Sequence, residues 1–299
     1  MKNVSTLLFL FTFPMQLFAQ ENNTLKDANL KTNVAKVTEK GYRYDVEADH
    51  YINISTTESE YVNGFLQFSS LEYNDFLAEW TETFYRYNED NTLKEVTYVS
   101  AYDSTTTTVT FQYANKKPVV RKEFSDITII RNFEYDANGN LALETKLDED
   151  GDVIEKVLYS NYTSGDSYQK EITSFDGEKI VNSTKETYAN GLLTQKNFTS
   201  EYTNETTIYA YDSNRLRTRE TSNDFVTAEN NYITDANGNA VKTRMYVNGG
   251  GIIPDMNIFL FTEYTYADGK VTGSCTFDAE FIKQFEPESK SYEVGEAMD

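Results

Sequence analysis

Tyr135-Asp-Ala-Asn-Gly-Asn-Leu141 is the phrase from which the fold of this chain can be read. Asn138-Gly139 supplies the residues that accept positive φ, so a three-residue loop, Ala137-Asn138-Gly139, suits a type I turn closed by a left-handed glycine. Asp136 opens the turn, where its carboxylate can accept from nearby backbone N–H groups. Asp136 then faces Asn140, and Tyr135 faces Leu141. A shorter form, Tyr188-Ala-Asn-Gly-Leu-Leu193, has the two-residue loop Asn190-Gly191 and sets Tyr188 against Leu193. The loop length changes and the Tyr–Leu pair stays. An aromatic opposite an aliphatic is a favourable cross-strand contact.

The phrase recurs at Tyr61-Val-Asn-Gly-Phe-Leu66, Tyr87-Asn-Glu-Asp-Asn-Thr-Leu93 and Tyr113-Ala-Asn-Lys-Lys-Pro-Val119. It returns at Tyr211-Asp-Ser-Asn-Arg-Leu216 and Tyr266-Ala-Asp-Gly-Lys-Val271, with worn copies from Tyr162 to Tyr168 and from Thr234 to Ala240. The same count sets Tyr87 against Leu93 and Tyr211 against Leu216. Successive starts lie 22 to 32 residues apart, the period of a repeat architecture. A second turn falls midway in each unit, as in Asp148-Glu-Asp-Gly-Asp152 and Phe175-Asp-Gly-Glu178. The segments between turns, such as Thr106–Tyr113 and Ile127–Tyr135, are rich in β-branched and aromatic residues. Each unit therefore reads as two strands and two turns.

The expected fold is all-β: a long antiparallel meander of repeated hairpins, about 16–20 strands, curled into a β-roll or a partly closed barrel. Residues 1–19 read as a secretory signal, with Lys2, an apolar run from Leu7 to Phe13, and Leu17-Phe-Ala19 before the cleavage point. Residues 20–40 are polar, hold no aromatic side chain, and read as a flexible leader. Residues 41–285 form a single β-repeat domain, because repeats pack continuously on their neighbours. Residues 286–299 read as an acidic, frayed tail.

The chain of 299 residues carries 27 Lys and Arg against 48 Asp and Glu, a net charge of −21. That field opposes nucleic acid and anionic lipid. No segment after the signal is long and apolar enough for a membrane helix. A lipid-facing barrel needs a continuous apolar band, and charges interrupt both faces, as in Glu155-Lys156 and Arg215-Leu-Arg-Thr-Arg219. A single cysteine, Cys275, excludes an intrachain disulfide.

Candidate chemistry is sparse. His50 is the lone histidine, which excludes multi-histidine metal sites. Cys275 sits in a strand-like context, Thr272-Gly-Ser-Cys-Thr276, without the basic neighbours that activate a thiol. Asp148–Asp152 hints at a calcium loop, but Gly151 falls fourth where that loop needs it sixth. Turn chemistry accounts for it, and no metal, cofactor or catalytic residue is assigned.

Tyr135-Asp-Ala-Asn-Gly-Asn-Leu141 and Tyr211-Asp-Ser-Asn-Arg-Leu216 resemble the YD repeat of Rhs-type proteins, over most of residues 61–271. They also look like the repeats of small uncharacterised exported bacterial proteins with rolled or porin-like sheets. The Rhs resemblance implies a β-shell; the small exported proteins imply no known activity. The Gly-Arg usual after the turn is absent, and Asn214-Arg215 is the nearest match. The functional expectation is an exported, non-catalytic binding or scaffold module of the cell envelope. Its partner would be a glycan or another envelope protein. The alternatives are a polysaccharide-acting enzyme with paired carboxylates and an outer-membrane β-barrel.

Overall fold

The computed structural model describes residues 24–31, 33–74, 79–100, 104–163, 167–250, 254–288 and 291–295. The expected signal segment, residues 1–19, lies outside them. Among these residues the chain forms β1 (Val34–Asp45), β2 (His50–Val62), β3 (Phe65–Tyr73), β4 (Glu79–Tyr87), β5 (Leu93–Ser100) and β6 (Thr106–Ala114). Next come β7 (Lys117–Phe124), β8 (Thr128–Tyr135), β9 (Leu141–Leu147), β10 (Val153–Ser160), β11 (Tyr168–Asp176) and β12 (Lys179–Ala189). The wall ends with β13 (Leu192–Ser200), β14 (Asn204–Tyr211), β15 (Arg217–Ser222), β16 (Phe225–Thr234), β17 (Ala240–Val247) and β18 (Met256–Tyr266). Three short elements follow: β19 (Val271–Gly273), helix α1 (Ala279–Ile282) and β20 (Val294–Gly295).

From β1 to β18 each strand pairs antiparallel with the next, and β1 pairs with β18 from Val34↔Tyr266 to Arg43↔Ile258. The meander is thus a closed barrel of 18 strands. Closure corrects the expected leader: residues 34–40 are strand, held by β2 on one side and β18 on the other. The seam also requires Gly41, since a Cβ there would stand 2.6 Å from Ser55 Oγ and 3.3 Å from Leu260. Closing the sheet removes the edges that would otherwise recruit other chains.

The turns divide into two rims. At the upper rim lie the β2–β3, β4–β5, β6–β7, β8–β9, β12–β13, β14–β15 and β16–β17 turns, which are the repeated phrases. Tyr135 faces Leu141, Tyr188 faces Leu193 and Tyr87 faces Leu93, as the turn counts require. Tyr211 is a correction: it faces Arg217, because Arg215 at φ 67° takes the left-handed place that Gly139 holds at φ 82°, and Leu216 becomes a loop residue. Beside the tyrosine position each of these hairpins carries a register shift, so one residue of the return strand is extra. Such bulges bend the strand and raise its twist.

The bulge exposes what the tyrosine is for. The ladder between one hairpin and the next stops short of the upper rim; β3 and β4, for example, pair only as far as Phe68↔Phe84. Beyond that point a side chain replaces the ladder. Tyr87 donates its hydroxyl to the Leu66 carbonyl at 2.8 Å, Tyr135 to Pro118 at 2.8 Å and Tyr162 to Leu141 at 2.9 Å. Tyr211 donates to Leu193 at 2.8 Å, Tyr232 to Arg217 at 2.6 Å and Tyr264 to Ala240 at 2.8 Å. Every acceptor is the residue that faces the tyrosine position of the preceding unit. The repeat therefore keeps a staple between hairpins as well as a pair within one. It satisfies carbonyls that would otherwise lack partners where neighbouring strands splay.

Burial alternates along the strands. On β12, Thr184, Glu186 and Tyr188 are buried while Lys185 is exposed; on β4, Thr83 and Tyr85 are buried while Phe84 and Arg86 are exposed. In a closed pleated barrel one face converges on the axis, so the buried parity is the lumen wall. One sector of it is apolar, built from Ile52, Ile54, Val247 and Ile258 with Met245, Met256 and Leu260.

Outside the seam, the C-terminal segment forms a clasp. Phe281 and Ile282 of α1, with Phe277, Phe285 and Tyr292, pack on Tyr42, Tyr51, Phe259 and Phe261. Asp278 caps the helix by accepting from Phe281 N–H at 3.0 Å and also pairs with Lys242. Glu286 accepts from Asn257 Nδ2 at 2.8 Å and from the Tyr51 hydroxyl, and β20 adds to β2. Residues 286–295 of the expected frayed tail are thus anchored where they are described.

Candidate functional site in the lumen wall

From β7 to β16 the inward face is polar, because residues of alternating parity bring acids and bases from adjacent strands together. Lys170 on β11 lies opposite Glu186 on β12, and their charged atoms meet at 3.0 Å with both side chains nearly buried. Tyr188 donates its hydroxyl to Glu186 at 2.7 Å, and its ring stacks on Tyr168 with centroids 4.4 Å apart. Three strands earlier, Arg131 on β8 pairs with Glu144 on β9, and Tyr159 on β10 donates to the same carboxylate at 3.2 Å. Arg121 on β7 pairs with Glu123 at 2.7 Å, and on β15 Arg217 pairs with Glu220 at 3.0 Å. Arg217 also lies over the Tyr209 ring. Burial first, and neighbouring carboxylates second, push the phenols of Tyr162 and Tyr209 up to about 12 and raise those of Tyr159 and Tyr188. These hydroxyls stay protonated at neutral pH and act as hydrogen-bond donors.

Arg121 and Arg131 lie directly opposite each other on β7 and β8. Each carries a buried Nε–H with no acceptor. Their charges are already met by Glu123 and Glu144, so what remains unfilled is a pair of hydrogen-bond donors. Orphaned buried donors are uncommon and call for an acceptor oxygen.

The residues singled out in the sequence lie elsewhere. His50 starts β2 at the seam; its Nδ1 lies 2.9 Å from the Ala48 carbonyl oxygen, and its ring fills the space a Cβ on Gly295 would need. Cys275 lies under the clasp, donates to the Thr38 carbonyl at 3.1 Å, and has its thiol pKa raised by burial, which disfavours the reactive thiolate. Asp148 spends its carboxylate on the N–H groups of Asp150 and Asp152 at 3.1 and 2.8 Å. Asp136, Asp212 and Asp235 bind their turns in the same way. The calcium-like spelling is therefore turn chemistry. Among the described residues no cluster of acids, His and Cys has metal-binding geometry.

One group escaped sequence reading altogether. Glu39, within the expected leader, points inward from β1 between Thr57 and Thr262. It is half-buried, accepts from the Thr262 hydroxyl at 2.8 Å, and has its pKa raised by desolvation, against which that hydrogen bond works. Nothing in a polar, aromatic-free stretch marks it, since burial here follows from barrel closure.

No known protein family matches the chain, and no curated protein does. Among solved structures, a porin-like protein from Bacteroides uniformis aligns with 13% identity and a TM-score of 0.46, over 78% of this chain and 98% of that one. A TcdB2–TccC3 structure aligns with 9% identity and a TM-score of 0.14, over 60% of this chain and 15% of that one. The barrel itself is established by the strand pairing of this chain.

Proposed function

We propose that the protein is an exported, non-catalytic binding or scaffold module of the cell envelope, wet on both faces of its barrel, whose lumen wall takes an uncharged, hydroxyl-rich ligand of the glycan class. The observation that carries this reading is the facing pair Arg121 and Arg131, each neutralised and each with an orphaned Nε–H. Both Nε atoms are covered in the unliganded barrel, so a ligand reaches them by displacing the side chains over them; to fill those donors it must then bring oxygen acceptors and no net charge. Sugar hydroxyls meet both conditions, and the inward tyrosines add donors and ring faces. A catalytic carboxylate pair is less well supported, because Glu144, Glu186 and Glu220 are each committed to a cation from their own or an adjacent strand.

Water on the outer face is supported by its side chains. Lys156 and Lys185 stand outward and exposed on β10 and β12, and Arg219 pairs with Glu229 at 3.6 Å across β15 and β16. A lipid-facing band would have to bury these charges in hydrocarbon. Among the described residues no helix is long and apolar enough to cross a membrane. A barrel of 16–18 strands has the circumference for an aqueous channel, and a polar chain entering it would meet wall side chains that are themselves largely buried against one another.

The test is calorimetric titration of the purified protein with neutral glucan, mannan and chitin oligosaccharides, repeated on Arg131→Lys. That variant keeps the charge opposite Glu144 and deletes the Nε–H. A neutral oligosaccharide should bind and lose about tenfold in affinity, the effect of one hydrogen bond of about 1.4 kcal/mol. Absence of binding to any of the three classes, or release of new reducing ends during titration, would overturn the reading.

A further inference from the structure

The lower rim carries a pattern unrelated to the lumen. It comprises the turns β1–β2, β3–β4, β5–β6 and so on to β17–β18. Six of these nine are described throughout, and all six present an exposed apolar side chain: Val46, Ile127, Val153, Ile180, Tyr202 and Phe225. Exposure runs from 53% at Val153 to 89% at Tyr202. Beside each stands an exposed acid within two residues: Glu47, Asp126, Asp152, Glu178, Glu201 and Asp224. A groove of about 300 Å³ opens between the β11–β12 and β13–β14 turns, walled in part by Ile180 and Glu201. The upper rim differs in that its turns are tied to each other, as where Arg215 donates to the Asn190 carbonyl at 3.1 Å.

Single exposed apolar residues are ordinary, but one in or beside every fully described turn of one rim, five of them at consecutive turns from β7–β8 to β15–β16, makes an apolar arc. We propose that this lower rim is a docking collar for a cationic amphipathic protein surface, one that interleaves Lys or Arg with apolar side chains. Charge selects among occupants. The collar's acids and the net charge of −21 repel an anionic membrane and a second copy of the same rim. A basic partner matches both elements at once: its apolar groups cover the turn tips and its cations meet the flanking carboxylates. Rim charges of this kind speed encounter and fix register, and the apolar contacts then hold the complex. Lys179, the lone cation within the six turns and their flanking residues named here, is already paired with Glu201 at 3.2 Å.

A Leu/Lys amphipathic helical peptide serves as the probe, with a Leu/Glu peptide of equal length and phosphatidylglycerol vesicles as controls. Binding to the whole protein is followed by peptide fluorescence anisotropy. The double variant Ile180→Ser/Phe225→Ser leaves charge unchanged and removes two exposed tips; Val62→Ser/Val271→Ser does the same at the upper rim. The collar requires that the Leu/Lys peptide bind and that the lower-rim variant weaken it at least tenfold, with the upper-rim variant matching the wild type. Equal loss from both variants, or none from either, reduces the binding to bulk charge attraction and overturns the proposal. So does capture by the vesicles, or a concentration-dependent dimer that the lower-rim variant abolishes. Circular dichroism of both variants keeps misfolding out of the comparison.

Discussion

The two rims of the barrel use turns for different ends. The upper rim is stitched: tyrosine hydroxyls reach back to the previous hairpin, and Leu93 just inside it is fully buried. At the lower rim apolar side chains such as Ile180 and Phe225 remain in water. The stitched rim carries the repeat in the sequence, because four of the six staples leave from the tyrosine that opens the phrase, while Tyr232 and Tyr264 staple from two residues before it. The lower rim keeps only a composition, acid beside apolar, with no fixed spelling. Regular spelling here marks an architectural demand, and the irregular rim is the one free to serve a partner.

The sharpest way to break this comparison is to truncate one residue on each side. Leu93→Ala should lower the unfolding free energy by about 2–5 kcal/mol, as deletion of a fully buried leucine does. Ile180→Ala should stay within about 0.5 kcal/mol. Urea unfolding of the two variants checks both values, and equal losses would deny the division between rims.

A finer cut removes one oxygen. Tyr135→Phe deletes the staple to Pro118 and leaves that carbonyl unpaired, for a loss of about 1 kcal/mol. Tyr202→Phe on the lower rim, where Tyr202 is 89% exposed, should change nothing measurable.

Glu39 gives the smallest effect and a signed one. Its carboxyl titrates above the ordinary value of 4.5 when folded. As pH rises past that value the unfolded chain gives up this proton first, so this group's contribution to stability is whole below it and is lost as pH climbs through the raised folded value. Glu39→Gln should therefore gain on the wild type between acidic and neutral pH in thermal melts. A constant difference across that range would show that Glu39 is solvated.

How far the sequence could be read follows the same physics. The hairpins were legible because Asn-Gly and Asp-x-Asn-Gly fix loop length, and loop length fixes which residues face. The pairs Tyr135–Leu141 and Tyr188–Leu193 follow from that count alone. Tyr211 escaped it because Arg215 occupies a left-handed position that its residue type does not advertise. The staples escaped because they join different units, and spacing within one phrase carries no record of the next. Closure was illegible for a plainer reason. β1 sets Glu39 and Gly41 inward and Lys36, Thr38 and Lys40 outward, so it lacks the apolar alternation of a half-buried strand. Arg121 and Arg131 were unremarkable in a chain with 27 cations until strand pairing set them face to face.

The account depends most on the union of the first and last wall strands. Thr38 lies opposite Glu263 across the β1–β18 seam. In a Cys275→Ser background, Thr38→Cys with Glu263→Cys should oxidise to an intramolecular disulfide in the monomer, with the β signature of the circular dichroism spectrum retained. Free thiols under the same oxidation, or disulfides formed only between molecules, would mean that the sheet does not close.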